Sequence, residues 1–289
     1  MSSMKTFDEQ MPCVGIPWYD LNDKTVFGVC KQELTPKMVE EAADKGMPFI
    51  NYPNLHRQTI NILLCDTFPG LLPENIPSYE SMFARLFRSV NQNLAFNIYQ
   101  TWDGELPEHP ASDELYLITG SNNAAYDTLP WILDLQEWVR KAAKMQIPLV
   151  GICFGHQVIA QALGGLVERH VGGWGVGIRE MKILDAELFP YFPDKKMRLI
   201  VNHHDQVTRL PEDAIPLATS NFCRYEGFRI GRHIITFQGH PEFTVDYERH
   251  LILNHAENED DAMKRRALET MEEMEHQGEV VAEFLLGAL

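Results

Sequence analysis

Three side chains of types that perform acyl transfer stand out by their spacing. Cys153 lies in Gly151-Ile152-Cys153-Phe154-Gly155, and His240 and Glu242 share His240-Pro241-Glu242. The first stretch follows the apolar run Ile147-Pro148-Leu149-Val150 and precedes Val158-Ile159-Ala160-Gln161-Ala162-Leu163. Strand, sharp turn and helix in that order make a nucleophile elbow, the cysteine counterpart of G-x-S-x-G. So tight a turn needs small neighbours, and Gly151 and Gly155 supply them. A helix starting after Cys153 would point free N–H groups at its sulfur and favour the thiolate, the nucleophilic form. Taken alone, the stretch also fits a buried structural cysteine.

A nucleophilic thiol needs a base, and the base needs an orienting group. The chain has 11 histidines, so position must choose among them. Ile234-Ile235-Thr236-Phe237-Gln238 is an apolar run that delivers His240 at a strand end. Pro241 stiffens the backbone beyond it. Glu242 lies two residues on, so in extended chain both side chains point the same way. A carboxylate there accepts from one imidazole nitrogen and leaves the other facing sulfur. Taken alone, this segment also fits a surface His and Glu in a loop.

The elements that must position these groups alternate. Strands are expected over 60–65, 94–99 and 115–119, and helices over 81–90 and 131–145, before the strand and helix around Cys153. This β-α-β-α order implies a doubly wound α/β sheet with chemistry at the C-terminal strand ends. Short strands over 177–184, 198–202, 216–220, 228–231 and 234–238 read partly as a smaller mixed sheet and partly as the last strands of the main one. A helix follows over 247–255. Residues 1–58 contain Pro12, Pro17, Pro36, Pro48 and Pro53 and read as an extension packed on or near the main domain. It holds one expected helix over 36–45, capped by Thr35. Residues 59–255 form the catalytic domain. Residues 256–289 form an acidic helical extension, with ten acids against three bases from residue 257 onward. Its stripe of Met263, Ala267, Met271, Met274, Val281, Phe284 and Leu285, interrupted at Gly278, is a core face rather than a ligand box.

Composition excludes several roles. With 289 residues and 45% apolar content the chain can build a substantial core. A net charge of −16 argues against nucleic acid, whose phosphates need a basic surface. The five cysteines, Cys13, Cys30, Cys65, Cys153 and Cys223, form no C-x-x-C pair, so neither a zinc site nor a disulfide framework is expected. The N-terminus shows no secretory h-region and no run approaches the ~20 apolar residues of a membrane helix. A reduced, cytoplasmic protein is expected.

In combination, the elbow and the downstream His-Pro-Glu resemble the class I, triad-type glutamine amidotransferases. Leu117-Ile118-Thr119-Gly120-Ser121 matches the strand-end glycine of that family's oxyanion loop. Val201-Asn202-His203-His204-Asp205-Gln206-Val207 is similar to its S-H-x-D-x-V stretch. Gly172-Gly173-Trp174-Gly175-Val176-Gly177 resembles the G-W-x-x-G segment of a stand-alone, GMP-synthase-like subgroup that includes plant γ-glutamyl peptidases. The resemblance covers about residues 60–255. It implies an α/β fold, a flavodoxin-like three-layer αβα sandwich with a mostly parallel central sheet and a small mixed β-sheet.

The resemblance also implies roles. Cys153 would attack the δ-carbonyl of a γ-glutamyl group, His240 would move the proton, and Glu242 would orient His240. The N–H groups of Gly120 and Phe154 would hold the oxyanion. Gln157 would lie near the glutamate part, and His203 or Asp205 near its α-amino or α-carboxylate group. Trp174 would be a further substrate contact. A hydrogen-bonded structural pair is the alternative for His203 and His204, and simple packing for Trp174. Adjacent histidines on a strand face opposite ways, so no shared metal is expected there, and no cofactor. The oxyanion loop lacks the family's Gly-Gly-Pro turn. No synthase domain or ATP-binding loop is visible, so the expected partner is a small γ-glutamyl substrate, with a separate synthase subunit as the alternative. A repurposed acyl-transfer or lyase enzyme and a non-catalytic binding protein are further alternatives, and homo-oligomerisation stays open.

Overall fold

The computed structural model describes residues 59–66, 77–254 and 261–288, with the backbone of two short strands upstream. Those strands, β1 (Trp18–Tyr19) and β2 (Val26–Phe27), pair antiparallel within a unit of residues 1–52. The helix expected over 36–45 lies outside the described residues. The second unit comprises residues 53–289 and contains every candidate site residue.

That unit begins β3 (Thr59–Leu64), α1 (Tyr79–Val90), β4 (Ala95–Gln100), β5 (Leu115–Ile118), α2 (Pro130–Lys144), β6 (Leu149–Ile152) and α3 (Phe154–Ala162). Then come β7 (Leu166–Arg169), β8 (Gly175–Ile183), β9 (Lys196–His203), β10 (Asp205–Arg209), β11 (Ala214–Thr219), β12 (Gly227–Ile230) and β13 (Ile234–Phe237). Helices α4 (Val245–Asn254), α5 (Asp261–Glu273) and α6 (Gly278–Ala288) close the described chain.

One nine-stranded sheet runs β4-β3-β5-β6-β13-β12-β11-β8-β9. Its first five strands are parallel and the remainder antiparallel. The short strands after residue 175 therefore mostly extend the main sheet, and the separate sheet is the antiparallel β7–β10 pair. Strands β5, β6 and β13 read as near-continuous apolar runs because both their faces are covered, whereas β4, at the sheet edge, is largely exposed. Along β3, Ile60, Ile62 and Leu64 pack with Phe83 and Phe87 of α1 and with Phe284 of α6, while Leu63 and Cys65 pack with α2 and α3. Two apolar cores on opposite faces of one sheet make the three-layer sandwich that the resemblance implies.

The acidic tail is part of this core. Ala267 and Met271 of α5 and Val281, Phe284 and Leu285 of α6 are all buried in it. Thr270 Oγ1 accepts from the Ile178 N–H of β8 at 2.9 Å. The interruption at Gly278 is the start of α6, where a Cβ would collide with the backbone carbonyl of Pro241.

Candidate active site

Strand β6 ends at Ile152, α3 begins at Phe154, and Cys153 joins them with φ 52° and ψ −103°. A positive φ at a non-glycine residue costs about 1–3 kcal/mol and persists only where its surroundings enforce it. Here the flanking glycines allow it. A Cβ on Gly151 would come 2.6 Å from the Gly155 carbonyl oxygen, and one on Gly155 would strike the Ile118 carbonyl. Hydrogen bonds from Cys153 N–H to Phe237 O (2.9 Å) and from Gly155 N–H to Thr119 O (3.1 Å) tie the turn to β13 and β5. The chain thus makes the predicted elbow, with Cys153 7% exposed.

His240 follows β13, and its N–H donates to Ile200 O at 2.7 Å, pinning it to β9. Its Nδ1 lies 2.8 Å from Glu242 Oε1, with both side chains buried. The two-residue spacing does bring both groups to one side. The ring stacks on Phe243 at 3.8 Å, and the Pro241 carbonyl between the pair faces His276 Nε2 at 3.1 Å. Burial alone would push His240 down. The charge of Glu242, and then that of Cys153, outweighs it and raises His240 to about 10. Glu242 Oε2 has no partner among the described residues.

Gly120, at the end of β5, lies against both groups. A Cβ built on it would be 3.1 Å from His240 Cε1 and 3.6 Å from Cys153 Cβ. Its N–H is occupied, donating to the Tyr79 hydroxyl at 2.9 Å. The Phe154 N–H, at the first turn of α3, makes no hydrogen bond among the described residues. Gln238 approaches the thiol from β13, with Nε2 3.7 Å from Sγ, and the Asn202 carbonyl lies 4.0 Å from Sγ.

Gln157 belongs to the same cluster, its Nε2 donating to Asp205 O (2.8 Å) and to Gln238 Oε1 (3.2 Å). His203 is buried one residue beyond Asn202, with Nδ1 3.1 Å from Asp205 O. Asp205 reaches the cluster through its backbone carbonyl, while its carboxylate lies toward His204 at 3.5 Å. Trp174 stays 36% exposed, with its ring 5.3 Å from that of His204, so it stands at the rim. Tyr79, Arg179, Glu226 and His276 carry no motif and escape sequence reasoning. Gln238 stands two residues before His240 inside a run already singled out, and that position was the available signal.

An α/β sandwich presenting a cysteine on a strand-to-helix elbow, beside a buried His–Glu pair, defines a class of protein. Comparisons narrow the class to a family. The model for "Glutamine amidotransferase class-I" matches residues 71–257. The chain belongs to the class-I glutamine amidotransferase family. "Gamma-glutamyl peptidase 3" of Arabidopsis thaliana is 31% identical over 198 residues, covering 66% of this chain and 78% of that protein. "Glutamine amidotransferase-like protein chyE" of Penicillium rubens is 28% identical over 191 residues, covering 63% and 79%. In fold, the chain is similar to the crystal structure of a glutamine amidotransferase from Thermotoga maritima. The TM-score is 0.61 and the identity 24%, with coverage of 80% of this chain and 97% of that one. Among the described residues no helix is long and apolar enough to cross a membrane.

Proposed function

We propose that the chain hydrolyses a γ-glutamyl amide bond through a glutamyl thioester on Cys153. The observation that carries this reading is the buried His240–Glu242 pair, 2.8 Å apart, set against the thiol of a strained elbow. With Nδ1 bound to Glu242, His240 keeps Nε2 for the sulfur. The Cys153 proton rests on His240, which Glu242 holds as a cation, and Cys153 Sγ attacks the δ-carbonyl carbon. The oxyanion takes the open Phe154 N–H, and takes the Gly120 N–H once the Tyr79 hydroxyl gives way. One such donor is worth about 3–4 kcal/mol in the transition state. The C–N bond breaks, the amine leaves with the proton from His240, and a thioester remains. Water, deprotonated by His240, attacks it to release glutamate and restore the thiol. Glu242 holds the ring and its developing cation. Gln157, His203 and Asp205 border the acyl group, and Trp174 stands toward the leaving group. A reduced thiol suits a cytoplasmic setting.

Hydrolysis of glutamine, glutathione and other γ-glutamyl compounds by the purified chain tests this reading. Turnover that disappears in Cys153→Ala supports it, and unchanged turnover in that variant removes it. The family match favours a second reading, in which ammonia from glutamine passes to a separate synthase. A partner that raises glutamine hydrolysis severalfold would select it, and robust turnover of γ-glutamyl peptides by the chain alone would reject it.

A further inference from the structure

Two groups beside the site are not used in the steps above. In the first, Arg179 Nη1, His203 Nε2 and Glu226 Oε2 are buried and have no hydrogen-bond partner among the described residues. The Glu226 carbonyl accepts from the N–H of Gln238, the residue whose side chain reaches the sulfur. The Arg179 guanidinium lies 4.0 Å from the Phe222 ring centroid, and the His203 ring stands edge-on to the same ring at 5.7 Å. The second group is His276, and both its ring nitrogens are matched.

His276 lies in the turn between α5 and α6, beyond the residues 71–257 that the family model matches. The turn runs along the free edge of β9, the last strand of the sheet. Gln277 exchanges two hydrogen bonds with Arg198. Its N–H donates to Arg198 O at 2.9 Å, and its Oε1 accepts from the Arg198 N–H at 2.8 Å. Two residues along β9, the Ile200 N–H donates to His276 Nδ1 at 3.3 Å, and the Ile200 carbonyl accepts from the His240 N–H at 2.7 Å. With Nδ1 accepting, the neutral ring carries its proton on Nε2, which donates to Pro241 O at 3.1 Å. Burial, the largest influence on this ring, holds it below its ordinary value and so keeps it neutral.

The Pro241 carbonyl belongs to the peptide that leads into Glu242. Little else holds that peptide. Among the described residues no backbone N–H reaches Pro241 O, the Glu242 N–H makes no backbone hydrogen bond, and Glu242 Oε2 has no partner. Gly278 leaves room for the imidazole. A Cβ there would strike Pro241 O and come 2.7 Å from His276 Nε2, while its φ is not positive. Glycine is thus demanded by the close approach and not by the turn. Docking of α6 has other anchors, since Val281, Phe284 and Leu285 are buried in the core and Gln277 ties the turn to β9.

We propose that His276 is a positioning residue for the catalytic pair: by holding the Pro241 carbonyl it fixes the chain between His240 and Glu242. The C-terminal extension is then a working part of the site. The inference rests on the reading in which His240 and Glu242 serve Cys153, and it adds what keeps that pair in register. The base is anchored to β9 directly, through its own N–H, and the carboxylate indirectly, through His276.

Two substitutions in the full-length chain separate the two ring nitrogens. In His276→Asn the shorter amide can still accept from Ile200 but falls short of Pro241 O. In His276→Gln the longer amide can donate to Pro241 O. The first readout is the rate at which iodoacetamide alkylates Cys153 at neutral pH, followed by mass spectrometry, which needs no substrate. The second is kcat and KM for a γ-glutamyl compound that the wild type hydrolyses. His276→Asn should slow alkylation and lower kcat by at least about tenfold with KM within about twofold, because small misplacements of a catalytic group are costly. His276→Gln should restore both, at an unchanged melting temperature. Alkylation in His276→Asn as fast as in wild type, or equal losses in the two variants, would overturn the proposal. His276→Phe keeps a ring and neither bond; it replaces the asparagine variant where that one does not fold, and should react as slowly. Loss of folding in both would make His276 a structural contact and would overturn it too. A wild-type chain that hydrolyses no γ-glutamyl compound would remove the catalytic reading and leave the alkylation test standing.

Discussion

The Cys153 elbow and the Arg179–Glu226–His203 cluster meet at one end of the sheet, yet they are held in opposite ways. The elbow is backbone and steric fit. Its strained φ is enforced by glycines that nearly touch neighbouring carbonyls and by two hydrogen bonds to adjacent strands. The cluster is charge without closure, with three buried polar atoms unmatched. Strain in a turn is set by covalent geometry and stays whether or not a ligand is bound. Unmatched charge is a cost that a complementary ligand removes. One region is held by shape, the other by charges left apart.

The largest effect separates the chemistry from the fold. Cys153→Ala should lower kcat by at least ~10⁴-fold, because groups acting as one unit lose nearly everything with the nucleophile. Its melting temperature should stay within a few degrees, since alanine fits the same turn. An early-melting variant would show that the elbow leans on the thiol rather than on its glycines.

The histidines divide the two regions by pH. Burial, the largest cause for both, lowers His156 and His203 from 6.5 to about 3, the Arg179 charge adding to it at His203. Below 6.5 the unfolded chain takes up protons at both while the folded chain does not. Stability from these two is therefore complete above 6.5 and falls as pH drops toward 3, by up to about 2.7 kcal/mol per pH unit. His240 runs the other way. Its folded value of about 10 exceeds 6.5, so its contribution is complete below 6.5 and is lost as pH rises toward 10. Urea unfolding across pH should show stability falling on both sides of a maximum near 6.5. A continuous rise from pH 6.5 to 9 would mean that Glu242 and Cys153 do not hold His240 as a cation.

A smaller effect probes the steric half directly. Gly155→Ala should destabilise by about 1–3 kcal/mol, because its Cβ meets backbone at Ile118 that has no rotamer to change. Equilibrium unfolding measures it. A neutral result would show that β5 can retreat and that the elbow is less rigid than its contacts indicate.

Sequence reading succeeded where structure is local. Gly151, Cys153 and Gly155 lie within five consecutive residues, from the end of β6 to the first turn of α3, and His240 and Glu242 share a face through the period of extended chain. The central parallel strands β5, β6 and β13 are legible as apolar runs because both their faces are buried. It missed what only sheet order assembles. Arg179 in β8 and Glu226 before β12 are brought together across β11, and nothing in either segment marks the other. Tyr79 reaches Gly120 from 41 residues away. Gly278 looked like a gap in a stripe, whereas it is the point where α6 passes the Pro241 carbonyl. His203 was visible only through a family resemblance, and the charges that face it were not.

The smallest effect is the sharpest test of the contrast, because its sign differs between the two regions. Removing a group that fits its surroundings destabilises, as Gly155→Ala should. Neutralising a buried carboxylate whose second oxygen has no hydrogen-bond partner among the described residues should do the reverse. Glu226→Gln keeps the shape and the bond to Ser220 while removing the anion, so the free protein should gain up to about 1 kcal/mol, a rise of a few degrees in melting temperature. Arg179 would then face no anion, which limits the gain. A Glu226→Gln protein that melts earlier than wild type would make the Arg179–Glu226 pair an ordinary structural contact, and the distinction between the elbow and the cluster would collapse.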